Sequence, residues 1–145
     1  MNRAEIRKIA NRYARKYDTR SPFVLADALG IEVFRVPLGG ISGFYRYMKR
    51  HRCIYLNAEL EERQAQLVMA HELGHALLHT KESTYFMEFH TALKVSRYEL
   101  EANLFAAELL ISDEFLAEYS GFTVSQMARM LGYSEKLVKL RTGGV

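Results

Sequence analysis

Apolar residues recur at three- and four-residue spacing along residues 4–17, where Ile6, Ile9, Ala10, Tyr13 and Tyr17 predict an amphipathic helix. Ser21-Pro22 reads as an N-cap followed by proline at the first helical position. It opens a short helix through Phe23, Leu25, Ala26 and Leu29 that stops at Gly30. The pattern then turns to alternation. Residues 31–36 are β-rich and close on Pro37 and Gly39-Gly40, and two further runs, 41–48 and 52–56, flank a turn at Lys49-Arg50-His51. Together they predict a small three-stranded sheet of antiparallel type. From residue 59 to 79 the period is helical again, with Asn57 as the expected cap. Residues 67–78 are apolar nearly all round, interrupted chiefly by His71, Glu72 and His75, which predicts a buried helix. Residues 80–96 read as an irregular lid or loop with a short strand at 85–89. A helix follows from about 97 to 110, with Leu100, Leu104, Ala107 and Ile111 on one stripe. Two short helical patterns, 124–131 and 135–140, are joined by Gly132-Tyr133-Ser134. The fold class is α+β and mainly helical: a domain over 1–112 and a helical extension over 113–145, packed as one globular unit.

Composition narrows the function classes. The chain has 145 residues, of which 49% are hydrophobic, with one cysteine. Disorder and a disulfide framework are excluded on those grounds. No apolar run is long enough for a membrane span or a signal-peptide core, so a cytoplasmic protein is the default expectation. The formal net charge is +3, but the basic residues cluster. Arg3, Arg7, Lys8, Arg12, Arg15, Lys16 and Arg20 crowd the start, and Arg46, Lys49, Arg50 and Arg52 form a second group. Such clusters suit nucleic acid or an acidic partner, although a solvated helix face is the simpler reading.

The stretch Met69-Ala-His71-Glu72-Leu-Gly-His75-Ala-Leu-Leu carries the candidate chemistry. On a helix His71 and His75 lie one turn apart on the same face, so both imidazoles reach one ion. Neutral imidazole suits Zn²⁺, which takes nitrogen ligands at about 2.0–2.1 Å in a tetrahedral site. Glu72 projects beside them, placed to act as general base on a water at the open side of the ion. Two histidines and a glutamate in an otherwise apolar helix are costly to bury without a partner. A third protein ligand is required, and Glu82, Glu88, His90, Glu99, Glu101 and Glu108 are the downstream candidates. The helical run around 98–106 is a better host than the irregular stretch. Glu99 and Asn103 stand one turn apart there, so Glu99 suits the metal and Asn103 suits the second ring N–H of a ligand histidine. Glu101 points about 200° away from Glu99 and is the alternative ligand.

His71-Glu72-Leu-Gly-His75, followed by Glu99-Leu-Glu-Ala-Asn103-Leu-Phe-Ala-Ala-Glu-Leu-Leu, resembles the ImmA/IrrE family of bacterial and prophage metallopeptidases. The strand-like Cys53-Ile-Tyr-Leu-Asn57 ahead of the helix is similar to that family's layout. The likeness extends over about residues 20–112. The chain departs from many members in having Ile111-Ser112 where they carry a proline after Leu-Leu. The resemblance implies a zincin-like domain in which His71, His75 and Glu99 hold zinc and Glu72 is the base, the Glu-to-Asn spacing being similar to the Glu-x-x-x-Asp pattern of glutamate-zincins. It also implies a protein substrate, a helix-turn-helix repressor whose cleavage relieves repression.

Other features are weaker. His79 reads as a helix-end or core histidine whose positive charge would complement the dipole. Tyr45, Tyr47, Tyr55 and Tyr98 are candidate oxyanion donors. Gly43 and the run 41–48 suit strand addition of an extended substrate. Cys53 reads as a small core residue. The tail from Phe122 to Arg141 has the cadence of a helix-turn-helix, with Arg129, Lys136, Lys139 and Arg141 as its cations, but the modest net charge does not favour DNA binding. A second function class therefore stands beside the peptidase: a non-proteolytic, metal-stabilised regulator that binds DNA or a repressor.

Overall fold

The computed structural model describes residues 1–83 and 92–143. Its helices are α1 (Arg3–Tyr17), α2 (Pro22–Ala28), α3 (Glu62–Leu78), α4 (Ala92–Leu110), α5 (Asp113–Glu118), α6 (Val124–Leu131) and α7 (Glu135–Thr142). Its strands are β1 (Glu32–Val36), β2 (Gly43–Met48) and β3 (His51–Asn57). The helix ends follow local chemistry. Asn2 and Glu5 form a capping box on α1, Ser21 caps α2 ahead of Pro22, and Ser112 caps α5. The Leu110 end of α4 therefore needs no proline: Ser112 starts a new helix there, one the hydrophobic pattern does not predict.

The sheet is mixed, which corrects the antiparallel expectation. Strand order is β1-β3-β2, with β1 parallel to β3 and β2 antiparallel to it. The loop over 37–42 lets β2 skip one position, and β3 returns to fill it. That places Ile54 and Leu56, both buried, in the central strand. Asn57 is not the cap of α3. Its buried side-chain amide donates to the carbonyls of Gly39 and Ile41 and its Oδ1 accepts from the Glu59 N–H, so it pins the turn while α3 starts at Glu62.

One face of the sheet packs on the helices. Tyr45, Ile54 and Leu56 join Ile6, Leu25, Met69, Leu73, Phe105 and Leu109 in the main core. A second cluster, around Ala107, Ile111, Met127, Leu137 and Val138, seats the C-terminal helices against α4. Of the predicted stripe, Leu104, Ala107 and Ile111 are buried and Leu100 is exposed; Ala102, Phe105, Ala106 and Leu109 are buried as well, so α4 is covered on more than the predicted face. The 85–89 strand, with Glu88 and His90, lies outside the described residues.

Several of the basic residues serve the fold. Arg7 bonds to the buried carboxylate of Glu108 at 2.7 Å, and Arg20 donates to the carbonyls of Glu108 and Leu109 at the end of α4. Arg3 donates to the carbonyls of Leu140 and Arg141 at the end of α7. Cations at helix C-termini complement the dipole. Arg141 itself is buried, donating to the Ile111 carbonyl at 2.6 Å and pairing with Asp113 and Glu108. Its charge is therefore not available to an external partner. Arg129, Lys136 and Lys139 are exposed.

Candidate metal centre

The site stands where α3 meets α4. Helical spacing puts His71 and His75 on one face of α3, and the imidazoles lie with Nε2 atoms 3.2 Å apart. Across the interface, Glu99 of α4 reaches both: Oε2 is 2.8 Å from His71 Nε2 and Oε1 is 3.0 Å from His75 Nε2. These three residues offer ligand atoms within 4.8 Å of one another. Donors around a tetrahedral ion with bonds of about 2.0–2.1 Å stand roughly 3.3 Å apart, so a small outward movement fits the set to zinc. The donor chemistry, two imidazole nitrogens and a carboxylate, fits as well.

Small residues make this approach possible. A Cβ on Gly74 would sit 3.2 Å from the Cα and the carbonyl oxygen of Ala102 and from Phe105 Cβ. Gly74 thus lets α4 lie directly on α3, between the two histidines in sequence and opposite the Glu99–Asn103 turn.

Electrostatics follow the burial. His75 is fully buried and His71 is half-buried, whereas the Glu99 side chain keeps 41% of its exposure, giving the centre an open side. Burial opposes charge on Glu99, yet the hydrogen bonds to His71 and His75 hold its carboxyl well below the usual carboxylate range. Burial pulls the His71 pKa down, but Glu99 and the neighbouring charge of Glu72 outweigh it and the net direction is up. His75, deeper and beside other imidazoles, is pushed down by burial.

Glu72 is buried next to His71. Asn103, one turn on from Glu99, lies close enough to the His71 ring to help raise its pKa. Glu101 stands apart from the cluster and accepts from His79 Nε2 at 2.7 Å and from the Met1 amino group at 2.8 Å. Glu108 is held by Arg7 and Arg141. Among the described residues, Glu82 joins no such cluster.

The remaining candidates are used elsewhere. The Tyr45 hydroxyl donates to the Thr80 carbonyl, and Tyr55 stacks between Phe34 and Phe44 on the outer sheet face. Tyr98 lies against the His79 ring, with centroids 4.3 Å apart. Gly43 has a packing reason: a Cβ there would meet the Tyr55 carbonyl oxygen at 2.7 Å. The outer edge of β2 is engaged at Tyr47, whose N–H donates to Ser83 Oγ and whose carbonyl accepts from it. Cys53 is half-buried between Glu32 and Arg46 rather than in the core, and burial raises its thiol pKa. His79 ends α3 and is buried. That is the helix-end, core position read from the sequence, and burial lowers its pKa in spite of Glu101. The pairing of His79 with Glu101 escapes a reading of spacing alone; the signal available was the four-residue step from His75 to His79.

Residues 26–142 match the IrrE N-terminal-like domain family. The chain is 39% identical over 139 residues to uncharacterized immunity region protein 2 of Bacillus phage phi105, covering 94% of this chain and 88% of that protein. It is 30% identical over 118 residues to metallopeptidase ImmA of Bacillus subtilis (strain 168), covering 77% and 69% respectively. No helix among the described residues is long and apolar enough to cross a membrane. On the match across most of its length, the chain belongs to the ImmA/IrrE family of metallopeptidases.

Proposed function

We propose that this chain is a zinc-dependent metalloendopeptidase of the glutamate-zincin type, with His71, His75 and Glu99 as metal ligands and Glu72 as general base. The observation that carries the reading is the convergence of three donors from two helices on one partly open point, with a buried carboxylate beside them. Zinc held there supplies Lewis acidity, bringing the pKa of water to about 7 and drawing charge from a peptide carbonyl. Glu72 accepts the proton of the attacking water and returns it to the leaving amine. Asn103 fixes the His71 ring, and Glu99 offsets the charge gathered at the centre. Manganese or iron satisfies the same donors less selectively.

The substrate in this reading is a helix-turn-helix repressor, cut in the cytoplasm to relieve repression. The names of the two relatives, an immunity region protein and a metallopeptidase, support it. The burial of Arg141 weighs against the DNA-binding alternative, since it removes one cation from the tail. The test incubates the chain with the repressor encoded nearest to its gene and follows fragments by mass spectrometry. Expected are discrete fragments with wild type, suppressed by a chelator and absent with Glu72→Gln. Wild-type rates from Glu72→Gln would overturn the mechanism.

A further inference from the structure

Behind His75, on the side away from the candidate ion, a second and wholly buried set of polar groups connects α3 to α4. His75 Nδ1 lies 3.3 Å from His79 Nδ1, and His79 Nε2 lies 2.7 Å from Glu101 Oε1. The side chains of His79 and Glu101 are 5% and 7% exposed, so water does not substitute for either partner. The Tyr98 ring covers the outer face of the His79 imidazole.

The proton count along this row has one solution when the centre is loaded. The Nε2 atom of His75 faces His71 and Glu99, and a ligand nitrogen must be unprotonated. The single ring proton of neutral His75 then sits on Nδ1 and needs an acceptor. Among the described residues that acceptor is the bare Nδ1 of His79, which places the His79 proton on Nε2, and that proton is donated to Glu101. Each ring N–H then has one acceptor, and Glu101 accepts from His79 at one oxygen and from the Met1 amino group at the other. Reversing His79 sets two N–H donors against each other behind His75 and turns a bare ring nitrogen toward the Glu101 carboxylate, an arrangement costly to bury.

We infer that His79 and Glu101 are positioning residues for the metal centre: Glu101 holds the His79 tautomer, and His79 in turn holds His75 with Nε2 bare and aimed at the ion. The inference rests on the metal-ligand reading above and gives His75 the kind of partner which that reading assigns to His71 in Asn103. Both ligand histidines are then oriented from α4, the helix that also supplies Glu99, so α4 sets three of the angles at the centre.

The test measures Co²⁺ and Zn²⁺ affinity by competition with a chromophoric chelator, together with the visible spectrum of the Co²⁺ form. His79→Phe keeps an aromatic ring against Tyr98 but offers no acceptor, whereas His79→Asn presents Oδ1 near the lost Nδ1. The expected result is a 10–100-fold loss of affinity in His79→Phe, the range typical of outer partners of metal ligands, with a shifted Co²⁺ spectrum. His79→Asn should recover most of the affinity and the native spectrum. Glu101→Leu against Glu101→Gln repeats the contrast one step out and serves if His79→Phe does not fold. Wild-type affinity in His79→Phe and in Glu101→Leu, or equal losses in each pair, would overturn the inference while leaving the metal reading intact. A wild-type chain that binds neither ion would overturn the metal reading itself, and this inference with it.

Discussion

Gly74 of α3 lies against Ala102 of α4 so closely that a single added carbon would meet the Ala102 Cα and carbonyl oxygen at 3.2 Å. This contact sets the distance between the helix that offers two imidazoles and the helix that offers a carboxylate. The glycine inside the His-Glu-Leu-Gly-His run is therefore part of the centre's geometry although it carries no donor.

Gly74→Val is expected to push the helices apart, with an overpacking cost of about 1–3 kcal/mol. Because the displaced helix carries Glu99, metal affinity should fall more steeply than stability alone explains. Urea unfolding of the metal-free protein and chelator competition on the same sample separate the two effects. An unchanged affinity in a destabilised protein would show that the contact is structural only.

Glu72→Gln preserves the shape and most of the hydrogen-bonding capacity of the side chain but cannot take a proton. Peptidase turnover is expected to drop by about 10²–10⁴-fold, the usual contribution of general acid–base catalysis. Metal content should stay at the wild-type level. Loss of the ion in this variant would move Glu72 from base to ligand.

Arg141→Met removes a buried guanidinium that pairs with Glu108 and Asp113 and donates to the Ile111 carbonyl. Breaking a buried pair from one side costs about 3–5 kcal/mol, and the remaining bond from Arg7 to Glu108 puts the expectation at the lower end. Equilibrium unfolding measures it. A loss well under about 1 kcal/mol, the scale of a surface pair, would contradict the role assigned to Arg141 in seating α7.

Asp113 gives a pH signature with a definite sign. Its hydrogen bond to Arg141 lowers its pKa from the ordinary 3.8 in spite of partial burial. A depressed folded-state pKa contributes stability that is full above the unfolded value and lost as pH falls through the folded one. Asp113→Asn should therefore flatten the acid limb of the stability curve below about pH 4 and change little near neutrality beyond the pair itself. The side chain is 53% exposed, so the effect belongs to the scale of a solvent-screened pair, under about 1 kcal/mol. An acid limb identical to wild type would contradict the assignment.

The parts of the centre legible in the sequence are those set by helical periodicity. A four-residue step from His71 to His75, and another from Glu99 to Asn103, each puts two side chains on one face, whatever the rest of the chain does. What periodicity does not carry is the relation between helices. That α3 and α4 touch through Gly74 and Ala102, or that Glu101 turns to His79, depends on how the two pack. The strand pattern likewise shows three β-rich runs but not that β3 inserts between β1 and β2, since partner choice lies in the loop over 37–42. Asn57 illustrates a local ambiguity: an asparagine two residues before a helical pattern suits a cap and a turn equally, and here the carbonyls of Gly39 and Ile41 claim its amide.

The most direct measurement of the central claim is the metal content of the chain after loading with Zn²⁺ and removal of free ion. One tightly held ion per chain is expected in wild type, with occupancy collapsing under mild chelator competition in His71→Ala and in Glu99→Ala. A wild-type chain that retains no ion, or a Glu99→Ala variant that retains it as firmly as wild type, would contradict a centre shared between α3 and α4.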